Sequence, residues 1–181
     1  VKGCVMKGLF ATVAVLATLV GSSASAFDPA DLKTLKETNE CIECDLTLID
    51  LSDENLSGAN LSKTDLTNAY LVGANLSNSK LSEAIMADTD LTQANLSKAY
   101  LFKANLTKAN LTEADLTEAN LSHANLPYTN LSGATLSKAT LSKATLSNAN
   151  LSDANLSDTF MMGAILCNTK MPDGIVIYSG C

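Results

Sequence analysis

Leucine returns every fifth residue. Stepping by five from Leu46 to Leu166 meets leucine at 23 of 25 positions, with Met86 and Met161 as the exceptions. Two residues earlier, from Cys44 to Ala164, 23 of 25 positions are Ala, Ser, Thr or Cys, the exceptions being Ile49 and Glu54 at the start. The residue after the leucine is Ser or Thr in 19 of 25 cases, and the residue before it is usually Asn or Asp. A helix cannot carry this rhythm, because five steps of about 100° smear the leucines over every face. A straight strand cannot either, since side chains alternate with period two and five is odd. Only a backbone that bends once per five residues keeps every leucine inward. Asn and Asp suit such bends because they tolerate turn geometry and bond to nearby backbone, and Ser and Thr do so more weakly.

The core of such a chain must be small and regular. The 181 residues are 46% apolar but only 4% aromatic, with no Trp, so bulky rings are not available to fill irregular space. Ala two places before each leucine leaves room for leucines arriving from neighbouring sides.

The stretches "ANLTK", "ANLTE", "ADLTE" and "ANLSH" between Ala104 and His123 resemble the pentapeptide-repeat proteins, whose signature is A(D/N)Lxx. The resemblance covers residues 44–166 with hardly a break. It implies an all-β chain: a right-handed quadrilateral β-helix, one pentapeptide per side, twenty residues per coil. Twenty-five repeats then make about six coils, a rod roughly 30 Å long at about 4.8 Å per stacked strand.

A solenoid exposes strand edges and apolar cross-sections at its ends and needs caps. Residues 27–40, "FDPADLKTLKETNE", read as a short N-terminal capping helix. Asp28 is the candidate N-cap, Pro29 the first helical residue, and Asp31 favours the helix dipole. Phe27 and Leu32 fit a hydrophobic staple, and Leu32 and Leu35 share a face suited to covering the first coil. Residues 41–170 form the expected β-helix and residues 171–181 a C-terminal cap or tail. There Pro172–Gly174 reads as a turn, and Ile175–Ile177 as an apolar segment closing the last coil. Phe160, Met162 and Ile165, close by, are expected to pack into that cap.

Residues 1–26 read as a secretory signal peptide: Lys2 and Lys7, an apolar or small run from Leu9 to Val20, and the small-residue site "ASA" at Ala24–Ala26. An uncleaved anchor is the competing reading, but a span needs about 20 apolar residues. After cleavage no membrane span is expected. The expected destination is the periplasm or the thylakoid lumen, and the resemblance favours the lumen because the family abounds in cyanobacteria.

Export favours disulfides. Cys41 and Cys44 fall at the first coil, Cys167 and Cys181 at the last, so a rod of roughly 30 Å holds the pairs too far apart for one four-cysteine metal site. Each pair is a candidate disulfide. For Cys41-x-x-Cys44 the alternatives are a redox motif and free thiols; redox work needs a stabilised thiolate, for instance at a helix N-terminus, and this pair follows its helix.

From residue 27 on, 10 Lys face 19 acids, a net charge of −9. Residues 27–65 carry net −7, residues 66–152 net zero and residues 153–181 net −2. No basic stretch suits direct nucleic-acid binding. His123 is the only histidine, outward-facing and read as a solvated surface residue. No Ser-His-Asp or Cys-His set forms around it, no glycine-rich phosphate loop occurs, and no catalytic, metal or cofactor residues are assigned. Tyr70 with Val72, Ile85, and Tyr100 with Phe102 interrupt the polar exterior. They are read either as tolerated surface apolars or as an interaction surface. On twenty-residue coils Tyr70 and Tyr100 fall on opposite faces and form no single patch.

The expected function is therefore a non-enzymatic structural or protein-interaction module with a protein partner that the sequence does not identify. The alternative comes from the resemblance alone: some family members mimic B-form DNA and inhibit DNA gyrase. That role needs acidic charge along the rod and access to the cytoplasm.

Overall fold

The computed structural model describes residues 27–181; the expected signal peptide at residues 1–26 lies outside the described residues. The chain opens with helix α1, Pro29–Thr38. The Asp28 side chain accepts from Ala30 N at 2.8 Å, supplying one of the partners that a helix start lacks. Asn39 ends the helix in the left-handed conformation and donates its N–H to Leu35 O. Leu35 is buried, and Phe27 and Leu32 pack half-buried against the same core. Asp31 does more than meet the helix dipole. Its carboxylate accepts from Asp45 N at 2.8 Å and so fastens α1 to the solenoid.

From Glu40 to Lys170 the backbone pairs with itself in parallel, always twenty residues on: Tyr100 with Asn120, Asn105 with Asn125, Asn110 with Asn130. Each five-residue segment has one corner. Ala104 N donates to Leu101 O at 3.0 Å, closing a β-turn over Phe102 and Lys103. The second central residue, Lys103, has φ of 58°. A positive φ at that position alone is the type II pattern. The corner places the left-handed residue two after each leucine, where Lys, Glu, Asn and Asp all occur with φ between 55° and 62°. This corrects the expectation for Asn and Asp. The Asn before each leucine sits in the ladder instead, and its side chain accepts from the backbone two residues on, as Asn105 Oδ1 does from Thr107 N at 3.2 Å.

Four segments complete a level and the levels stack, so the molecule is an all-β solenoid. Leu61, Leu81, Leu101, Leu121 and Leu141, one per level on one side, are all fully buried. Each such leucine contributes about 1.5–3 kcal/mol of burial free energy before chain entropy is subtracted. Where Thr replaces the inward Ala, its hydroxyl bonds a carbonyl of the level before: Thr89 Oγ1 to Leu66 O and Thr129 Oγ1 to Leu106 O, both 2.8 Å. Among the described residues no buried side-chain nitrogen or oxygen lacks a partner. Glu54, one of the two exceptions to the small inward position, turns outward and meets Lys36 of α1 at 3.8 Å.

The C-terminal end is built differently. Strand β1, Leu166–Lys170, pairs antiparallel with β2, Val176–Ser179, around a turn in which Gly174 N donates to Met171 O. The β2 strand extends an edge and covers little of the cross-section. Ile175 is 60% exposed and Val176 39%, so the expected closure of the last coil by Ile175–Ile177 is only partial. Nor do Phe160 and Met162 pack into a cap: they are 63% and 79% exposed. Both occupy outward positions of their segment, and β2 lies against β1, which is the next segment along.

Candidate functional site

Four cysteines pair at the two ends. The structure joins Cys41 to Cys44, three residues apart in sequence, and Cys167 to Cys181, fourteen apart. The Asp31 carboxylate lies within 4.8 Å of both Cys41 and Cys44. With both sulfurs bonded to each other, that trio has no thiolate to offer a metal ion. Cys167–Cys181 fastens the end of the chain, beyond β2, to β1.

The outward aromatics divide as the twenty-residue spacing dictates. Tyr70 pairs with Asp90 and Tyr100 with Lys80, two segments away around the level. Tyr70 is exposed and Val72 half-buried, with no ring partner beside them among the described residues. Ile85 stands on a third side. Tyr100 and Phe102, by contrast, form a cluster. They leave the same segment on its outer side, with ring centroids 6.1 Å apart and planes 19° from parallel. His123, on the next level, sets its ring edge-on to Phe102 at 5.5 Å. Lys103 holds its ammonium 5.3 Å from the Phe102 centroid. Phe102 is half-buried by these neighbours, while Tyr100 and His123 remain exposed.

The sequence reading missed His123 as part of this group and took it for an isolated surface residue. The signal that places it is the interval of twenty-one residues from Phe102, one level and one position on. The arrangement offers an apolar platform with an imidazole at its edge and a cation above it. Such aromatic contacts contribute about 0.5–1.5 kcal/mol beyond area burial.

The Glu43 carboxyl is held below its ordinary value by its hydrogen bond to Lys63 at 2.9 Å, and Lys63 is raised by the same bond. Asp50 is lowered by hydrogen bonds from Ser52. No helix among the described residues is long and apolar enough to cross a membrane.

Overlapping stretches from residues 44–82 through 129–168 match the family model described as pentapeptide repeats. Among solved structures, the pentapeptide repeat protein Rfr23 of the cyanobacterium Cyanothece is 33% identical, over 75% of this chain and 92% of its own (TM-score 0.45). HetL of Nostoc, involved in heterocyst differentiation regulation, is 27% identical over 76% and 85% (TM-score 0.43). A pentapeptide repeat protein of the Arabidopsis thaliana thylakoid lumen is 26% identical over 68% and 66% (TM-score 0.22). No curated protein matches the chain by sequence.

Proposed function

From the premise that this chain belongs to the pentapeptide-repeat family, we propose that it is an exported, non-enzymatic scaffold that binds another protein through an outer face of its solenoid. The scaffold in this reading is a right-handed, quadrilateral β-helix of about six coils, a form supported by the twenty-residue pairing and by the corner in every segment. The observation that carries the function is the Tyr100–Phe102–His123 cluster. Aromatic side chains mounted on a rigid ladder bury large area on contact and lose little conformational freedom in doing so. Export to the periplasm or the thylakoid lumen rests on the apolar leader and on the four paired cysteines. The gyrase-inhibitor alternative has weaker support, since five lysines, Lys80, Lys98, Lys103, Lys138 and Lys143, lie on or beside the Tyr100 face and interrupt any continuous acidic exterior.

Affinity capture tests this reading. The full chain, immobilised and exposed to a periplasmic or lumenal extract, is expected to retain a stoichiometric protein that Tyr100→Ser/Phe102→Ser does not retain. Equal retention by both forms would remove the aromatic cluster from the interface and, with it, the support for the proposal.

A further inference from the structure

The middle of the chain sums to zero charge, yet the twenty-residue spacing sorts that charge by side. Between residues 80 and 158 the Tyr100 face and its two bordering corners collect Lys80, Lys98, Lys103, Lys138 and Lys143 against Glu83, Glu118 and Asp158. The face on the far side, through Asp90, Asn110 and Asn130, collects Asp88, Asp90, Glu113 and Asp153 against Lys108. A chain that is neutral along its length is therefore polar across its width.

The basic side is also short of internal partners. Lys98 reaches Glu118 at 3.9 Å, an exposed pair. Lys80, Lys103, Lys138 and Lys143 make no ion pair among the described residues, and all are exposed. Two of the lysines border the aromatic platform, Lys98 at the corner before Tyr100 and Lys103 at the corner after Phe102. Lys138 and Lys143 repeat that placement two levels on, about 10 Å along the rod at the stacking distance. Asn120, Ser122, Thr140 and Ser142 fill the outward positions between them.

We propose that this face docks an acidic, extended protein segment that lays an apolar side chain on Tyr100 and Phe102 and sets carboxylates between the lysine corners. The inference rests on the protein-binding reading above and names the chemistry of its partner. The argument is charge complementarity around an aromatic centre. Lys80, Lys138 and Lys143, exposed and without an ion pair among the described residues, gain a partner without breaking one, and a rim of charge fixes register while the apolar centre supplies affinity. The net charge, −7 for the whole chain and −9 from residue 27 on, repels an acidic partner at long range. Added salt therefore weakens both that repulsion and the local attraction, and charge reversal is the sharper probe.

The test titrates the isotope-labelled full chain with a short synthetic peptide repeating Glu-Glu-Phe. A Lys-Lys-Phe repeat, an oligothymidylate and a heparin-derived oligosaccharide serve as the other arms. The expected result is that the acidic peptide shifts the NMR signals of Tyr100, Phe102 and His123. Affinity is expected to fall at least about tenfold in K103E/K143E and to stay within about twofold in E113K/D153K, which alters the far side. Circular dichroism checks that both variants fold. No shift with the acidic peptide, or equal binding by K103E/K143E, overturns the proposal. Tighter binding of the oligothymidylate or the oligosaccharide overturns it in favour of a nucleic-acid or glycan site. If K103E/K143E still retains the partner that Tyr100→Ser/Phe102→Ser loses, the protein-binding reading through the aromatic cluster stands and the acidic-segment proposal falls.

Discussion

The two ends of the solenoid face the same physical problem and meet it unequally. Any stack of β levels ends in an apolar cross-section and a row of unpaired peptide groups. At the N-terminal end a ten-residue helix lies over the first level. Leu35 fills the space above the core, Asp28 N bonds Asp45 O, and Asp31 takes Asp45 N. Leu46, in the first level, is fully buried as a result. At the other end of the solenoid β1 and β2 form a hairpin, which satisfies the edge of β1 and covers little of the rest of the level. Leu156 and Met161 are only half-buried, and Phe160 and Met162 stand in solvent. A helix, with its side chains fanning from one axis, roofs a cross-section; a strand added at one side repairs one edge.

The largest consequence is a difference in what one substitution costs at each end. Leu46→Asp places an unpaired charge among buried leucines, and a loss above about 4 kcal/mol, enough to unfold the adjoining levels, is expected. Leu156→Asp, at the equivalent inward position near the open end, turns into water and is expected to cost about 1–2 kcal/mol. Urea unfolding followed by circular dichroism separates the two. Equal losses would show that the C-terminal level is sealed in solution. In the middle of the rod Leu106→Asp is expected to abolish folding, and Lys108→Asp, on an exposed corner, to leave it unchanged.

The disulfides sharpen the same contrast. Closing the fourteen-residue interval of Cys167–Cys181 removes more freedom from the unfolded chain than closing the three-residue interval of Cys41–Cys44. Cys167→Ser is expected to cost about 3 kcal/mol and Cys41→Ser about 2, on the chain-entropy scale. The open end thus leans on a covalent tie where the other leans on a packed helix. If thermal melts place Cys41→Ser below Cys167→Ser, packing around the buried Cys41 outweighs chain entropy. A smaller effect belongs to the helix start: Asp28→Ala removes the acceptor for Ala30 N and is expected to lower stability by about 1 kcal/mol.

How much of this was legible beforehand differs by end and by layer. The inward register was fully legible, because leucine and alanine recur at fixed positions and only a cornered backbone reconciles them. The start of α1 was legible too, since Asp28 and Pro29 are local signals. Two features were not. The left-handed corner falls on Lys103, Glu113 and Lys138, residue types whose propensity argues against it. There the ladder on both sides imposes the conformation, at a cost of about 1–3 kcal/mol per residue that no local rule foretells. The exposure of Phe160 and Met162 was missed for the opposite reason. Apolar residues near a chain end suggest a cap, yet whether they are covered depends on where β2 lies, and that is set by pairing with β1. His123 lay between these cases: its contact with Phe102 follows from the spacing, but only once the level length is known.

The smallest effect lies at the helix-capped end and has a definite sign. Glu43 and Lys63, one level apart, are joined at 2.9 Å and both are largely exposed. The hydrogen bond, and after it the charge of Lys63, lowers the Glu43 carboxyl; the same bond raises Lys63, with Glu83 adding to the raise. A lowered carboxyl stabilises the fold above its ordinary value and loses that contribution as pH falls through the lowered one. A raised amine stabilises below its ordinary value and loses that contribution as pH rises through the raised one. The pair therefore acts fully between about pH 5 and pH 10 and fades on either side. Lys63→Met should return the Glu43 titration, followed by NMR of its side-chain carboxyl, toward the ordinary glutamate range, with little change in melting temperature at neutral pH, as exposed pairs contribute little. A Glu43 midpoint that stays low in Lys63→Met would remove Lys63 as the cause, since the acids of the first level raise a neighbouring carboxyl and do not lower it.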